Sequence, residues 1–471
     1  MKLGALTGHG ETDEVTGFVI DNRKVAQGSV FGAFSGARFN GEDFIQDAIR
    51  AGAVAVVARP EAVVNGAVHI ADANPRKAFA DLATRFYGPF PETLVAVTGT
   101  NGKTSSVELV RQLWHMSGFQ AASIGTLGIT TAHDQVTTGL TTPDVGTFLS
   151  NLAGLEREGV SHVAFEASSH GLDQYRTEGP RVCAAAFTNL SRDHLDYHGT
   201  MDAYLAAKLR LFTEVLAPDG VAVIWADDAA SHRVADAAQA RGIRLFSVGA
   251  QGLDLKLVSR TPTQLGQALE IEAEGVVHKI QLPLIGAYQA ANALTAAGLV
   301  LATGGALKTT LGNLARVQGV RGRLERAVIA KSGAPVYVDY AHTPDALEAA
   351  IAALRPHCKG RIILVFGAGG DRDTGKRAEM GAVAVRDADL VIVTDDNPRS
   401  EAPAAIRAMV MDGAKGATEI GDRRAAIAEA IRLSSADDVV LVAGKGHEQG
   451  QIVGDRVLPF DDVSVARDCA A

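Results

Sequence analysis

Residues 93–118 read TLVAVTGTNGKTSSVELVRQLWHMSG. Thr93–Val97 is a short apolar run with β-branched residues and reads as a buried strand; from Lys103 the apolar positions Val107, Val110, Leu113 and Trp114 recur at helical spacing until Gly118 stops them. Between strand and helix lies Gly99-Thr100-Asn101-Gly102-Lys103-Thr104, a glycine turn that opens a helix and carries a lysine and a hydroxyl. Such a turn suits polyphosphate. Backbone N–H groups and the helix N-terminus face the anion, Lys103 neutralises it, and the Thr104 hydroxyl can ligate magnesium. The match to the general P-loop pattern is partial, because Val97 stands where its first glycine belongs. A glycine-rich turn can also be only a tight turn, but here lysine, hydroxyl, strand and helix all fall where phosphate binding needs them.

The rest of the composition bounds the class. A chain of 471 residues exceeds what one hydrophobic core usually serves, so two to four domains are expected. With 47% apolar and 21% charged residues it reads as an ordinary soluble protein. A net charge of −9 argues against a nucleic-acid surface, yet a local basic cluster can still bind small anions. Cys183, Cys358 and Cys469 stand in no metal-ligand spacing, which suggests a reducing cytoplasm without disulfides or zinc. No signal segment and no apolar run long enough for a bilayer is evident, so no membrane partner is expected.

Taken in order, residues 1–87 alternate short strands (Phe18–Asp21, Ser29–Phe34, Ala53–Ala58, Val68–Ala71) with helices over Glu42–Ala51 and Arg76–Tyr87, a small α/β unit without a catalytic cluster of its own. Gly88-Pro89-Phe90-Pro91 reads as a linker. In the middle stretch, 88–318, Leu140-Thr141-Thr142-Pro143-Asp144 reads as either a helix cap or a binding turn. Glu166 stands at the C-terminal end of a strand over His162–Phe165, on the same rim as the glycine turn; it suits magnesium, or it caps a helix or pairs with Arg176. Phe187–Gly199 leaves another strand end, Val182–Phe187, with two histidines and two aspartates in six residues: a site, or a solvated loop.

Lys208 is the most informative single residue of that stretch. On a helix over Met201–Leu216, at roughly 100° per residue, Tyr204, Leu205, Leu209, Leu211, Phe212, Val215 and Leu216 share one arc, and Lys208 projects from its middle while Arg210, Thr213 and Glu214 face away. An inward lysine must be paired, snorkel or lose its charge. A bland internal ion pair and a functional amine stay equally open on this ground.

Residues 319–471 open with a glycine- and arginine-rich hinge, Gly319–Arg323, followed by four apolar runs that each end in a polar loop. Val336–Val338 precedes DYAHTPD, Ile362–Phe366 precedes GAGGDRD, Leu390–Val393 precedes TDDNPR, and Val439–Val442 precedes AGKGHE. Helical patterns between them argue a parallel sheet with all four loops on one rim. GAGGDRD is a poor dinucleotide fingerprint, since Arg372 replaces the third glycine. Arg372 and Arg399 can clamp carboxylates while Asp396 and Glu448 can hold ammonium groups, so the rim suits a zwitterion unless these charges simply pair with one another.

TGTNGKTS resembles the nucleotide loop of the Mur ligase family, the ATP-dependent amide ligases that build the peptide of bacterial cell-wall precursors, and the resemblance covers nearly the whole chain. It implies an α/β protein of three domains: a small N-terminal α/β domain (1–87) for the UDP-linked acceptor, a central P-loop-type ATP-binding parallel-sheet domain (88–318), and a C-terminal Rossmann-like domain (319–471) for the amino acid. ATP would be held by Gly99, Thr100, Asn101, Gly102, Lys103, Thr104 and Ser105, with Asn292 and Arg323. The acceptor, UDP-N-acetylmuramoyl-L-alanyl-D-glutamate, would meet Ile20, Asn22, Thr141, Thr142, Ser168, Gln174 and Arg176; Asn22 replaces the family's usual serine. Magnesium would be held by Thr104, Glu166, His194 and Lys208, the lysine as a carbamate made with carbon dioxide. The catalytic set is then Lys103, Glu166, His194 and Lys208. Asp396-Asn397-Pro398-Arg399 resembles the signature of the branch that adds meso-diaminopimelate, with Arg372, Gly444 and Glu448 as further contacts and His342 as a candidate proton relay. The expected reaction passes through an acyl phosphate in a cytoplasmic monomer. A lysine-adding or folylpolyglutamate-type sibling, and a non-catalytic nucleotide sensor, are the other readings.

Overall fold

The computed structural model describes residues 1–8, 11–36, 39–136, 139–263, 265–372 and 374–471, and the backbone alone of Asp196; Asp373 of the GAGGDRD stretch lies outside the described residues. The chain divides into two compact units, Met1–Lys256 with Leu294–Thr310, and Leu257–Ala293 with Leu311–Ala471.

The first unit carries two sheets. Strands Gly17–Val19, Ser29–Gly32, Ala53–Ala58 and Val68–Ala71 pair in that order, all parallel. The expected helix over 42–51 is shorter: Gly41–Phe44 is a 3-10 turn and only Ile45–Arg50 is α-helical. In the larger sheet, strands Arg244–Gly249, Leu216–Trp225, Val182–Phe187, Thr93–Thr98, His162–Glu166 and Ala121–Gly125 lie side by side and parallel. Two short antiparallel strands, Gly128–Thr130 and Gln135–Val136, continue the last edge. Thr93–Thr98 is buried between two neighbours, which is why it reads as an unbroken apolar run rather than an alternating one. Its carboxyl end therefore opens beside the ends of His162–Glu166 and Val182–Phe187, where ligands of open parallel sheets collect.

The helix carrying Lys208 differs from its expected length. It is α-helical over Met201–Arg210, passes into a π-helical turn at Leu211–Val215, and yields to a strand at Leu216. The apolar arc is otherwise as spaced: Tyr204, Leu205, Leu211, Phe212 and Leu216 are buried, Leu209 and Val215 partly so, while Thr213 and Glu214 are exposed.

In the second unit the sheet order is Glu325–Ile329, Pro335–Asp339, Val439–Ala443, Ile362–Phe366, Leu390–Val393, Thr418–Glu419. The four anticipated strands are parallel, so their loops share one rim; the first edge strand is antiparallel. A hairpin, Gly450–Val453 with Arg456–Pro459, follows the last loop. Gln267 ties the neighbouring segment together by donating to Leu284 O and Gly286 O, both at 2.9 Å. Cys183, Cys358 and Cys469 are unpaired, and among the described residues no helix is long and apolar enough to cross a membrane.

Under this second rim lies an ion pair with no solvent exposure on either side chain. Arg423, on the helix Arg423–Leu433, donates Nε to Asp462 Oδ1 at 2.8 Å and Nη2 to Asp462 Oδ2 at 2.7 Å, and also reaches Ala443 O and Asp395 O at 2.9 and 3.3 Å. Those two carbonyls immediately precede Gly444 and Asp396. Removing one partner of such a pair strands a buried charge, whereas replacing both with apolar groups of similar volume does not. Asp462→Ala is therefore expected to lower the stability of the full chain by about 3–5 kcal/mol, read as a shift of the urea midpoint, while the double change Arg423→Met with Asp462→Leu recovers most of that loss.

Candidate functional site

The glycine turn takes its shape from φ angles that only glycine adopts freely. Gly99 sits at φ 147° and Gly102 at φ 86°, and a Cβ on Gly99 would collide with Thr188 Oγ1. The neighbouring strand end secures the turn: Thr100 N donates to Asn189 O at 2.9 Å, Asn101 N to Asn189 Oδ1 at 2.9 Å, and Thr188 Oγ1 to Asn101 O at 2.6 Å. Thr100 Oγ1 accepts from Ser191 N at 2.9 Å. Thr104 and Ser105 are buried in the first turn of the helix Lys103–Met116.

Lysines 103 and 208 meet at one atom. Lys103 Nζ donates to Gly99 O at 3.0 Å and Thr100 O at 2.8 Å; Lys208 Nζ donates to the same Gly99 O at 2.7 Å. Lys208 is 1% exposed and lies 4.2 Å from the centre of the Tyr204 ring. No carboxylate pairs with it among the described residues, so the bland ion-pair reading does not hold. Burial, reinforced by the charge of Lys103, brings its pKa down to about 6, which leaves a neutral amine at pH 7. Burial likewise pushes the Tyr204 phenol up to about 12.

Glu166 is 2% exposed, its Oε1 accepting from Thr126 N at 2.7 Å and its Oε2 from Thr126 Oγ1 at 3.3 Å. A Cβ on Gly125 would collide with this carboxylate. Arg176 is not its partner. Arg176 donates instead to Thr142 O at 2.9 Å and Gln174 Oε1 at 2.7 Å, and Gln174 Nε2 reaches Tyr197 OH at 3.0 Å. Thr142 Oγ1 donates to Glu166 O at 2.9 Å and accepts from Ser168 N at 3.1 Å; Thr141 Oγ1 lies 3.0 Å from Thr126 Oγ1. Thr142, Ser168, Gln174 and Arg176 thus form one network continuous with Glu166. Asp144 caps the following helix, accepting from Thr147 N at 3.1 Å, so this turn is a cap and part of the network at once.

His194 adopts φ 52° with its side chain 46% exposed; its ring lies 4.9 Å from that of His170 and 6.0 Å from that of Tyr204, with Nε2 3.5 Å from Asp193 Oδ2. Among the described residues no three His, Cys, Asp or Glu side chains surround a point that a metal could occupy. The donor chemistry still fits a hard cation: a buried carboxylate, a hydroxyl in the turn, and a neutral amine able to become a carboxylate. Ile20 is exposed and Asn22 half-buried at the start of a 3-10 turn capped by Asp21.

In the second unit, Asn292 is buried and donates Nδ2 to Gln289 Oε1 at 3.2 Å, and Gln289 donates to Arg323 O at 2.9 Å. Gln289 therefore links the two residues expected at the nucleotide. Asp396 and Asn397 are buried, Arg399 is half-buried at φ 52°, and Arg372 is exposed. Arg399 Nη1 donates to Gly370 O at 2.7 Å. Gly444, at φ 115°, leaves room for Asp396 Oδ2, against which a Cβ would press to 2.5 Å. The glycines of GAGGDRD serve packing, not pyrophosphate: a Cβ on Gly370 would collide with Pro398 O, and one on Gly367 with Thr394 O. The anticipated charges do not cancel. Neither Arg372 nor Arg399 makes an ion pair among the described residues, and Glu448 is matched only by Lys445 at 3.2 Å.

Beside this rim Tyr340 packs between two imidazoles, 4.6 Å from His342 and 4.9 Å from His447, with the Arg323 guanidinium 4.9 Å from its ring centre. His342 Nδ1 lies 2.8 Å from Tyr340 O. Asp339 accepts from Leu324 N at 2.7 Å and Ala341 N at 2.9 Å.

A parallel sheet with a lysine-bearing glycine turn, followed by a second sheet whose rim sets acidic side chains beside arginines that make no ion pair among the described residues, is the build expected of an ATP-dependent amide ligase. The family comparisons agree. The Mur ligase family catalytic domain matches residues 14–87, the Mur ligase middle domain 97–300, and the Mur ligase, glutamate ligase domain 322–446. The UDP-N-acetylmuramoyl-L-alanyl-D-glutamate–2,6-diaminopimelate ligase of Zymomonas mobilis is 60% identical over 99% of this chain and 98% of its own, and that of Caulobacter vibrioides is 52% identical over 96% and 94%. A solved structure of a ligase of that name superposes with a TM-score of 0.76 at 31% identity, covering 100% of this chain and 98% of the other. The MurF ligase of Thermotoga maritima in complex with ADP shares the fold, with a TM-score of 0.62 at 20% identity over 97% of each chain. The chain belongs to the Mur ligase family, with its three-domain α/β architecture and its ATP-dependent ligase activity.

His447 and Asp339 make opposite contributions to stability against pH. Burial, aided by Arg323 and Arg321, brings the His447 imidazole down to about 4, and its buried Nδ1 has no partner among the described residues. Its contribution is complete above the unfolded value near 6.5 and is lost as pH falls through 4, at most about 3 kcal/mol. Burial raises Asp339 to about 6, so its contribution is complete below about 3.9 and is lost as pH rises through 6. Between pH 4 and 6 the two nearly offset. His447→Gln should therefore expose the Asp339 slope: its urea midpoint, relative to wild type, should rise as pH falls from 6.5 to 4, and a constant difference across that range would refute the assignment.

Proposed function

We propose that this ligase joins meso-diaminopimelate to the glutamate γ-carboxylate of UDP-N-acetylmuramoyl-L-alanyl-D-glutamate in the synthesis of a peptidoglycan precursor. The observation that carries the reading is the charge pattern of the second rim. Arg399 is held half-buried with carbonyl oxygens as its partners and, among the described residues, no carboxylate, while Asp396 stands on the same loop and Glu448 on the GKGHE loop. A zwitterion with a second carboxylate satisfies that arrangement; lysine would leave the guanidinium unpaired. The names of relatives 48–60% identical support the same substrate.

In the first step the acceptor carboxylate attacks the γ-phosphorus of ATP, forming an acyl phosphate and ADP; in the second the amine attacks the acyl carbon and phosphate leaves. Lys103, with the backbone N–H groups of the turn that Asn189 does not engage, would hold the phosphates and offset charge developing on the transferring group. Thr142, Ser168, Gln174 and Arg176, with Thr141, Ile20 and Asn22, would orient the acceptor. Asn292 and Arg323 would meet the nucleotide. Thr104, Glu166, His194 and carbamylated Lys208 would hold magnesium, which would supply further charge neutralisation at the transferring phosphoryl group. The neutral amine of Lys208 is the species that adds carbon dioxide, forming an N–C bond and releasing a proton. We assign 1–87 to the acceptor, 88–318 to ATP and 319–471 to the amino acid, boundaries supported by the extents of the three family matches. ATP consumption and unpaired cysteines suit a cytoplasmic enzyme.

Two measurements test this reading. With ATP, magnesium and the UDP-linked dipeptide, wild type should use diaminopimelate and discriminate against lysine by about 10⁴ in kcat/KM, because a site built for a polar group rejects the analogue lacking it. Arg399→Ala should lose most activity with diaminopimelate and little with lysine; equal losses, or a wild-type preference for lysine, would favour the sibling ligase. Lys208→Ala should be inactive and partly restored by acetate, which can supply the missing carboxylate, and a fully active variant would remove Lys208 from the metal site.

A further inference from the structure

Lys445 belongs to the GKGHE loop, is completely buried, and lies behind the proposed amino-acid site, not on its surface. Its ammonium has three partners: Gly450 O at 2.6 Å, Asn397 Oδ1 at 3.1 Å and Glu448 Oε2 at 3.2 Å. These come from three separate segments, namely the hairpin Gly450–Pro459, the DNPR loop and the end of the GKGHE loop.

Each contact fixes a further one. Asn397 Oδ1 also accepts from Ile452 N at 2.9 Å, which orients the amide so that Nδ2 donates to Glu448 Oε2 at 2.7 Å. Glu448 Oε2 thus receives both donors, and Oε1 has no protein partner among the described residues. The hairpin strand anchored at Gly450 runs along the DNPR loop: Gln451 Nε2 donates to Asp396 O at 2.6 Å, Arg399 N to Ile452 O at 3.0 Å, and Gly454 N to Arg399 O at 2.7 Å. Arg399 is held on both its backbone N and O in a conformation a non-glycine residue seldom takes.

We infer that Lys445 is the positioning residue of the amino-acid site: it fixes one oxygen of Glu448, leaves the other for the substrate ammonium, and through the hairpin sets Arg399 for the substrate carboxylate. The inference rests on the diaminopimelate reading above. A buried ammonium is held in place because Glu448 compensates its charge and two oxygens complete its hydrogen bonds; without it the Glu448 rotamer and the hairpin register are both released. Placement, not chemistry, is what its loss would disturb.

The test uses the full chain with Lys445→Gln, which keeps N–H donors but no charge, and Lys445→Met, which keeps neither. KM is measured separately for ATP, the UDP-linked dipeptide and the amino acid. The expected result is an increase in KM for diaminopimelate of about tenfold or more in Lys445→Met and less in Lys445→Gln, with the other two KM values within about twofold, and a fall of similar size in the preference for diaminopimelate over lysine. If Lys445→Met does not fold, the same comparison on Lys445→Gln decides. A variant that lowers kcat for every substrate without moving KM for the amino acid or the preference ratio would reduce Lys445 to a structural residue and overturn the inference. Wild type separates the two proposals: if its favoured amino acid is not diaminopimelate, the substrate reading fails, and the KM comparison with the amino acid it does favour still tests Lys445.

Discussion

The carbonyl oxygen of Gly99 accepts hydrogen bonds from two lysines, and the first unit is arranged around keeping both there. Two ammonium ions so close would repel strongly in a low-dielectric interior. Charge is relieved on Lys208, the more buried of the two, whose pKa falls to about 6, while Lys103 opens the helix that follows the glycine turn. The fold makes this possible because Thr93–Thr98 lies between parallel neighbours, so the turn, Glu166 and the 187–199 segment all leave the same edge of the sheet. A neutral amine beside a second, cationic one is the product of burial, not of a special residue type.

The second unit solves a different problem, that of holding opposite charges near one another without letting them neutralise. Its arginines near the rim divide by depth. Arg423 and Arg377 are fully buried and matched by Asp462 and Glu401, whereas Arg399 is left with carbonyl partners. The matched pairs lie under or beside the loops and fix their carbonyls: Arg423 bonds Ala443 O and Asp395 O, and Arg377 bonds Gly369 O at 3.1 Å. Rigid support below leaves ionic capacity above for a ligand.

Much of this was legible in the sequence where a local pattern carried it. The strand, glycine turn and helix of 93–118, the four parallel strands after 335, and the inward projection of Lys208 all follow from spacing within a single segment. What stayed hidden depends on partners distant in the chain. Thr126 gives Glu166 two donors from 40 residues away, and the antiparallel edge at Glu325–Ile329 forms by pairing with Pro335–Asp339, not by its own alternation. The end of the Lys208 helix was misplaced because an apolar arc continues through Val215 and Leu216 whether the backbone is α-helical, π-helical or extended. The role of the GAGGDRD glycines was partly readable: the missing third glycine argued against a dinucleotide, but the close approach of Pro398 O and Thr394 O required the fold.

Lys208 and Lys445 show why residue type and burial alone do not settle function. Both are buried lysines, 1% and 0% exposed, and both sit behind a loop that faces a site. Lys208 meets a carbonyl, an aromatic ring and a second cation, and among the described residues no carboxylate pairs with it, so burial and Lys103 outweigh the more distant charge of Asp193 and the proton is readily given up. Lys445 meets a carboxylate, an amide oxygen and a carbonyl, three acceptors for the three donors of an ammonium. The first environment favours a reactive amine and the second a fixed strut. The distinction lies in whether a carboxylate from another segment reaches the buried nitrogen, and that is decided by the meeting of the DNPR loop, the GKGHE loop and the hairpin.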